Sequence, residues 1–166
     1  MLVVPPDRMP GERQLEGLAA SDAALDQLFA NAEHTVRIFD RTIGRNFDTP
    51  LRYDLMRQLL LARRTNRIHI VLHETANIVR DCPRLIMLLR QFSHGLSVRQ
   101  TLPAARGVYD PFAIGDDSRF VHRFHYRDGR GVATVGDIAN TRVYLKRFEE
   151  IWEASVPAVA PTTIGL

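Results

Sequence analysis

The pattern of hydrophobic and polar positions changes its period several times along the chain. Three short apolar runs rich in β-branched residues have the length of strands, at residues 35–39, 67–72 and 96–102. Segments with apolar residues at helical spacing lie between them, and the first opens with Thr49-Pro50, which is typical of a helix start. Strands separated by helices predict parallel neighbours joined by right-handed crossovers, and therefore an α/β fold.

Polar pairs follow the first two predicted strands. Asp40 and Arg41 come after the first, and His73 and Glu74 come after the second. The carboxyl ends of the strands are where ligands bind in an open α/β sheet. His73 and Glu74 are therefore candidates for acid–base chemistry, with a hydrogen-bonded strand end as the alternative interpretation.

Residues 119–140 predict a β-hairpin that leads into the last helix. The first strand alternates, with Phe120, His122, Phe124 and Tyr126 on one face and Val121, Arg123, His125 and Arg127 on the other. The dipeptide Asp128-Gly129 is a strong signal for the turn, and residues 132–135 form the second strand. Because the helix begins between residues 137 and 141, a compact unit is expected to hold these polar residues: His122, Asp128, Asp137 and Asn140.

The composition is that of one globular domain. The chain has 166 residues, of which 45% are hydrophobic and 25% charged, and its net charge is +3. We predict a loose arm at residues 1–18, a single domain at residues 19–156 and a tail at residues 157–166. The lone cysteine, Cys82, excludes an internal disulfide and fits a reducing compartment, and no apolar run is long enough to span a membrane. A cytoplasmic location is expected.

The stretch DGRGVATVGDIAN, which starts at Asp128, resembles part of the signature of the phospholipase D superfamily. That family carries His-x-Lys-x4-Asp on a strand, then a turn, a second strand, and Gly-Ser or Gly-Gly followed by Asn. His122 falls close to the position of the family's nucleophilic histidine, but one residue fewer separates it from Asp128. The lysine position is Phe124 or Arg123, depending on the end from which it is counted.

A second placement of the motif lies upstream. It uses Asp116-Asp117 as the motif aspartate and puts Tyr109 or Asp110 in the histidine position. This placement has neither the histidine nor the lysine of the family.

The resemblance implies a mixed, mainly parallel sheet with a C-terminal hairpin and helices on both faces. It also implies phosphodiester chemistry through a phosphohistidine, with two His-Lys sets brought together from two domains or a homodimer. The single lysine of this chain, Lys146, lies in the predicted last helix. We therefore expect a catalytically degenerate domain with a binding or scaffolding role and a remnant pocket for a phosphate-containing anion.

The residues of that remnant site follow from the resemblance. His122 and Asp128 are the candidate catalytic residues, and Arg123 and Asn140 are the candidate anion-binding residues. No cofactor and no metal are expected, because His122 and His125 face opposite sides of a strand. Two alternatives stay open, which are an active dimeric phosphodiesterase or nuclease that uses His122 and a nucleic-acid-binding module.

Overall fold

The computed structural model describes residues 11–159 of the chain. Its strands are β1 Gly11–Leu15, β2 Thr35–Asp40, β3 Arg67–Leu72, β4 Leu96–Thr101, β5 Phe112–Gly115, β6 Arg119–Arg123, β7 Gly131–Val135 and β8 Ser155–Val159. Its helices are α1 Leu18–Asn31, α2 Pro50–Ala62, α3 Ile78–Asp81, α4 Pro83–Gln91 and α5 Ile138–Glu153, with a 3₁₀ turn at Pro103–Ala105. Within this part of the chain every helix is too short or too polar to cross a bilayer.

The strands form one mixed sheet in the order β1-β7-β6-β5-β2-β3-β4-β8. The pairings of β2 with β3 and of β3 with β4 are parallel, as predicted. The other pairings among residues 11–159 are antiparallel. The predicted α/β fold with a mixed sheet is confirmed. The sheet is not mainly parallel, however, because β5, the hairpin strands β6 and β7, and the edge strands β1 and β8 all pair antiparallel to their neighbours.

Helices cover both faces of this sheet. On one face α1, α2 and α4 pack against β2, β3 and β4, for example through Leu28, Leu59 and Leu85 against Ile68 and Ile70. On the other face α5 contributes Phe148 and Ile151, which pack against Phe39, Val71, Ile114 and Phe120. Successive residues of a buried strand point to opposite faces, so β2 and β3 are apolar at consecutive positions.

The helix starts predicted from the sequence are confirmed at two places. The Thr49 hydroxyl accepts a hydrogen bond from the backbone N–H of Arg52 at 3.2 Å, with Pro50 as the first helical residue of α2. The Asp137 carboxylate accepts from the backbone N–H of Asn140 at 3.0 Å, one residue before α5 begins. Each cap satisfies a backbone donor that the helix leaves open.

Both ends of the described chain differ from the expected arm and tail. Residues 11–15 form β1, which pairs with β7, and residues 157–159 belong to β8, which pairs with β4. Both are edge strands with mostly exposed side chains, so neither shows the alternation by which a half-buried strand is recognised. Residues 1–10 and 160–166 lie outside the described residues, and the division into arm, domain and tail stays a prediction.

The hairpin connection is longer than the sequence suggested. Strand β6 ends at Arg123, and the turn lies at residues 125–128, where the Asp128 backbone N–H donates to the His125 carbonyl at 2.9 Å. Asp128-Gly129 is therefore not the central dipeptide of a two-residue turn. Gly129 meets a different requirement, because a Cβ at that position would collide with the backbone of Gly17 and Leu18.

Candidate functional site

The carboxyl ends of four strands meet at one edge of the sheet. Strand β6 runs in the same direction as β2, because each is antiparallel to β5. The direction in which strands are added to the sheet reverses at β2, because β3 and β4 lie on one flank of β2 and β5 lies on the other. Such a switch point leaves a crevice beyond the strand ends, which is the common ligand site of open α/β sheets. Asp40 is the last residue of β2 and Arg123 is the last of β6.

A cavity of about 550 Å³ opens at this edge on the α1 side of the sheet. Its walls are α1, the ends of β2, β5 and β6, and the loop at residues 41–49. Apolar side chains make up much of the lining, among them Leu25, Ile38, Ile43, Phe47 and Val121. Its volume lies within the usual range for small-molecule sites.

Asp40 lines this cavity. Its Oδ1 accepts from the backbone N–H of Arg41 at 2.7 Å, and its Oδ2 lies 3.7 Å from Arg123 Nη1. Although protein atoms surround the carboxyl, 23% of the side-chain surface remains accessible. Burial raises the pKa of Asp40 to about 6, against the opposing effects of the Arg123 guanidinium and the Arg41 N–H.

Arg123 holds the hairpin connection in place. Its Nε donates to the Asp128 carbonyl at 3.1 Å and its Nη2 donates to the Tyr126 carbonyl at 2.5 Å, while its Nη1 faces Asp40. The guanidinium is thus occupied by acceptors of its own chain. An anion-binding role, as predicted from the sequence, would require part of this arrangement to open.

His122 lies on the opposite face of β6 from Arg123, as the predicted alternation requires. The alternation stops at Arg123, where β6 ends, and Tyr126, which was predicted on the His122 face, lines the cavity together with Arg123. Its Nε2 donates to Asp110 Oδ2 at 2.9 Å, and Asp110 Oδ1 accepts from Arg147 Nη2 of α5 at 2.8 Å. The ring also contacts Tyr144 of α5, with 5.1 Å between ring centroids. Burial opposes ionisation of Asp110, but the hydrogen bonds from Arg147 and His122 outweigh it, so the Asp110 pKa is lowered.

The compact polar unit expected in the hairpin is not formed. His122 pairs with Val132 and Arg119 pairs with Val135, so residue 137 lies at the opposite end of the hairpin from His122. Asn140 donates its side-chain N–H to Asp137 at 2.8 Å. Because β7 runs antiparallel to β6, the end of β7 that leads into α5 lies beside the start of β6, away from His122.

Asp128 is occupied by a neighbour in the same loop. Its carboxylate accepts two close hydrogen bonds from Arg130, at 3.0 Å from Nε and 2.7 Å from Nη2. These bonds lower the pKa of Asp128 to about 2. Asp128 thus stabilises its own loop. It does not contact His122, whose partner is Asp110.

His73 and Glu74, the second candidate pair, do not interact with each other through their side chains but with different neighbours. His73 Nε2 donates to the Val108 carbonyl at 2.5 Å, and Nδ1 lies 2.7 Å from the Thr101 hydroxyl. Both ring nitrogens are therefore engaged, as expected for a histidine that closes the end of a strand. Glu74 forms an ion pair with Arg41 at 3.3 Å.

Sequence reasoning missed the partners of His122. Asp110 precedes Pro111 in an irregular segment, and Arg147 lies on a helix remote in sequence, so no local spacing connects them to β6. Asp40, in contrast, was found from the sequence, because it stands at the carboxyl end of a predicted strand. Among residues 11–159 no three or more His, Cys, Asp or Glu side chains converge in a way that suits a metal ion.

Comparison with known proteins identifies a family and a fold. The model of a family described as "Domain of unknown function (DUF7931)" matches residues 18–160. No curated protein matches the chain.

Three solved structures resemble this one. Nuc, a phospholipase D family member from Salmonella typhimurium, has a TM-score of 0.64 at 12% identity over 92% of this chain and 100% of Nuc. NucT from Helicobacter pylori has a TM-score of 0.57 at 14% identity over 90% of this chain and 100% of NucT. TrmBL2, an archaeal chromatin protein described as having a novel mode of DNA binding, has a TM-score of 0.65 at 15% identity over 93% of this chain. This chain spans only 56% of TrmBL2. At these identities the similarity shows a shared phospholipase D-like fold.

Proposed function

This chain belongs to the DUF7931 family, and from its phospholipase D-like fold we propose a catalytically degenerate domain that binds a ligand at the carboxyl edge of its sheet. The observation that carries the proposal is the environment of His122. Its Nε2 is held by Asp110, and the nearby cation, Arg147, is bound to the same carboxylate. No lysine side chain is available on β6, since Lys146 of α5 is the single lysine of the sequence.

The chemistry implied by the family explains why this environment argues against hydrolysis. Attack of an imidazole on a phosphodiester builds negative charge on the phosphoryl oxygens, which the family's lysines hold. Each missing charge-stabilising donor costs about 3–4 kcal/mol in the transition state, or two to three orders of magnitude in rate. Arg123 does not replace the lysine, because it points to the opposite face of β6 from His122 and is bound by its own loop.

Binding at the carboxyl edge is supported by the cavity beside β2. It lies at the switch point of the sheet and is lined by α1 and the loop at residues 41–49. Such a site needs no catalytic group and fits a domain that recognises a ligand. The remnant phosphate pocket expected from the sequence would occupy this same edge, with Arg123 as its cation.

One observation favours an active phosphodiesterase as the second candidate. The Asp110 carboxylate orients the His122 imidazole, as a carboxylate does for a histidine in many nucleophilic sites. The rival mechanism requires a homodimer that brings two His122 rings together.

A nucleic-acid-binding role is the remaining alternative. The connection after β6 exposes Phe124, which is 49% accessible, and Arg127. The exposed Tyr109 lies beside it, with 5.5 Å between its ring centroid and that of His125. Aromatic rings and arginines together suit single-stranded nucleic acid. The DNA binding in the description of TrmBL2 belongs to a chain that is longer than this one.

Hydrolysis assays test the proposal. We expect no turnover above background on bis-p-nitrophenyl phosphate, phosphatidylcholine or single-stranded DNA. The matched variants are His122→Ala and His34→Ala, the second of which removes an exposed imidazole at the start of β2. Turnover that is lost in His122→Ala but kept in His34→Ala, with both variants folded by circular dichroism, would refute the degenerate-domain proposal and support the active enzyme.

A further inference from the structure

We propose that the cavity beside Asp40 binds a small uncharged molecule with an apolar or aromatic body and an N–H or O–H group that donates to Asp40. This inference rests on the proposed binding function and specifies its ligand. It also departs from the anionic ligand that the sequence suggested. Three features of the cavity carry it: a partly apolar lining, one open acceptor, and carboxylates that face the two less exposed cations of the lining, Arg52 and Arg123.

The lining favours an apolar body. Leu25 of α1, Ile38 of β2, Val121 of β6 and Ile43 of the loop surround the space, and the Phe47 ring adds an aromatic wall. Burial of apolar ligand surface is worth about 25 cal/mol per Å². A cavity of about 550 Å³ has room for a molecule of two to three rings.

Asp40 supplies the open acceptor. Its Oδ1 accepts from the Arg41 N–H, but Oδ2 is 3.7 Å from Arg123 Nη1, which is too long for a hydrogen bond. The same carboxyl lines the cavity. The Asp40 side chain keeps 23% of its surface accessible, so a ligand in the cavity can reach Oδ2 and form a charge-assisted hydrogen bond with it.

The charges of the lining exclude a strong preference for an ion. Arg52 lies 2.9 Å from Asp26, and Arg123 faces Asp40, whereas Arg45 is 83% exposed and lies 3.7 Å from Asp81. The two less exposed cations of the lining thus face carboxylates, and an anionic ligand that approached them would have to compete with these carboxylates. A cationic ligand bound to Asp40 would be repelled by Arg123, which lies 3.7 Å from that carboxylate. An uncharged donor neither competes with the carboxylates of the lining nor meets this repulsion.

Two fluorescent probes that differ by one charge test this directly. N-phenyl-1-naphthylamine is uncharged, aromatic and carries one N–H donor, and 8-anilinonaphthalene-1-sulfonate has the same ring system with a sulfonate. We expect the uncharged probe to bind the wild-type protein at least tenfold more tightly than the sulfonate. Equal affinities, or tighter binding of the sulfonate, would overturn the inference and point instead to an anion site at Arg123.

Variants locate the probe in the cavity. Asp40→Leu removes the acceptor and makes the site more apolar. If the probe donates to Asp40, its affinity should fall about tenfold, whereas a probe held by apolar contacts alone should bind more tightly to this variant. Gly44→Trp adds a ring to the lining at a position where a Cβ meets no atom within 4 Å, and it should abolish binding. Asp54→Leu on the exposed face of α2 is the matched control and should change nothing.

The outcomes separate this inference from the proposed function. Probe affinity that is unchanged in both Asp40→Leu and Gly44→Trp would overturn the ligand site, whatever the hydrolysis assays show. If Asp40→Leu does not fold, the ratio of the two probes on the wild-type protein and the effect of Gly44→Trp decide the question. Hydrolysis that depends on His122 would refute the proposed function without any change in probe binding.

Discussion

Arg52 is expected to hold the wall of the cavity together, and its removal should destabilise the protein far more than the removal of an exposed arginine. Only 2% of its side chain is exposed, and it joins three parts of the structure. Its Nε donates to Asp26 of α1 at 2.9 Å, and its Nη2 donates to the Asp22 carbonyl at 3.0 Å. Its Nη1 reaches the carbonyl of Phe47 in the loop at 3.4 Å, and the guanidinium lies over that ring.

The magnitude follows from what Arg52→Ala leaves behind. Removing one partner of a buried ion pair costs about 3–5 kcal/mol, because the other charge remains buried. Asp26 is 16% accessible, so we place the loss at the lower end, about 3 kcal/mol. Burial already raises the Asp26 pKa against the influence of Arg52, so removal of Arg52 should raise it further and let protonation relieve the loss in acid.

Urea unfolding at pH 7 and pH 4.5 measures this effect. The control is Arg57→Ala, which removes an exposed arginine from the same helix and matches the change in helix propensity. We expect the midpoint of Arg52→Ala to fall strongly at pH 7 and less at pH 4.5, with little change in the control. Equal midpoints for the two variants would refute the role assigned to Arg52.

Three further predictions concern the frame around the site. Asp116 has a φ of 52°, and its carboxylate accepts from the backbone N–H groups of residues 33, 34 and 35 at 2.8–3.0 Å. Asp116→Ala should therefore lower the free energy of unfolding by about 2–4 kcal/mol, whereas Asp117→Ala, at an exposed position, should leave it unchanged. Trp152 is partly buried and lies under the Arg99 guanidinium at 4.6 Å from the ring centroid, so Trp152→Ala should cost about 1–3 kcal/mol, and an unchanged urea midpoint would place the ring in solvent. Asp40 has its pKa raised from 3.8 to about 6, so the folded state binds an extra proton and this contribution to stability is lost as the pH rises from about 4 to about 6. Asp40→Asn should therefore gain stability relative to the wild type across that range, and a constant difference would contradict the raised pKa. The charged groups that face Asp40 are Arg123 from β6, Asp22 from α1 and Arg41 from its own loop.

The sequence predicted the elements that have a buried face. Strands β2, β3 and β4 were found within a residue of their ends, because their apolar runs are long and their neighbours are helices. The Thr49 cap was found because a side-chain oxygen before a helix has a recognisable chemistry, and the start of α5 falls within the predicted range of residues 137–141. The edge strands β1 and β8 were missed, since an exposed strand needs no hydrophobic alternation.

The candidate site was predicted less well than the fold. The alternation of β6 placed His122 and Arg123 correctly on opposite faces, but their partners come from elsewhere in the chain. Asp110 reaches His122 across the β5–β6 pairing, and Asp40 approaches Arg123 across β5, so both contacts depend on the strand order. Strand order is set by the packing of the whole sheet, which a local pattern does not encode. The expected unit of His122 and Asp137 failed for a different reason. In the antiparallel hairpin that was itself predicted, the end of β7 that leads to Asp137 lies beside the start of β6, whereas His122 lies near the end of β6.

The central claim is that His122 does not support phosphodiester hydrolysis, and it is tested most directly by the rate of p-nitrophenol release per subunit as a function of protein concentration. The active alternative needs a dimer, so its rate per subunit rises with protein concentration where the dimer dissociates and stays constant above buffer where the dimer is fully formed. We predict that wild-type protein and His122→Ala release p-nitrophenol from bis-p-nitrophenyl phosphate at the rate of buffer at every concentration. A rate above that of buffer in the wild type that vanishes in a folded His122→Ala variant would contradict the account, whether or not the rate per subunit rises with concentration.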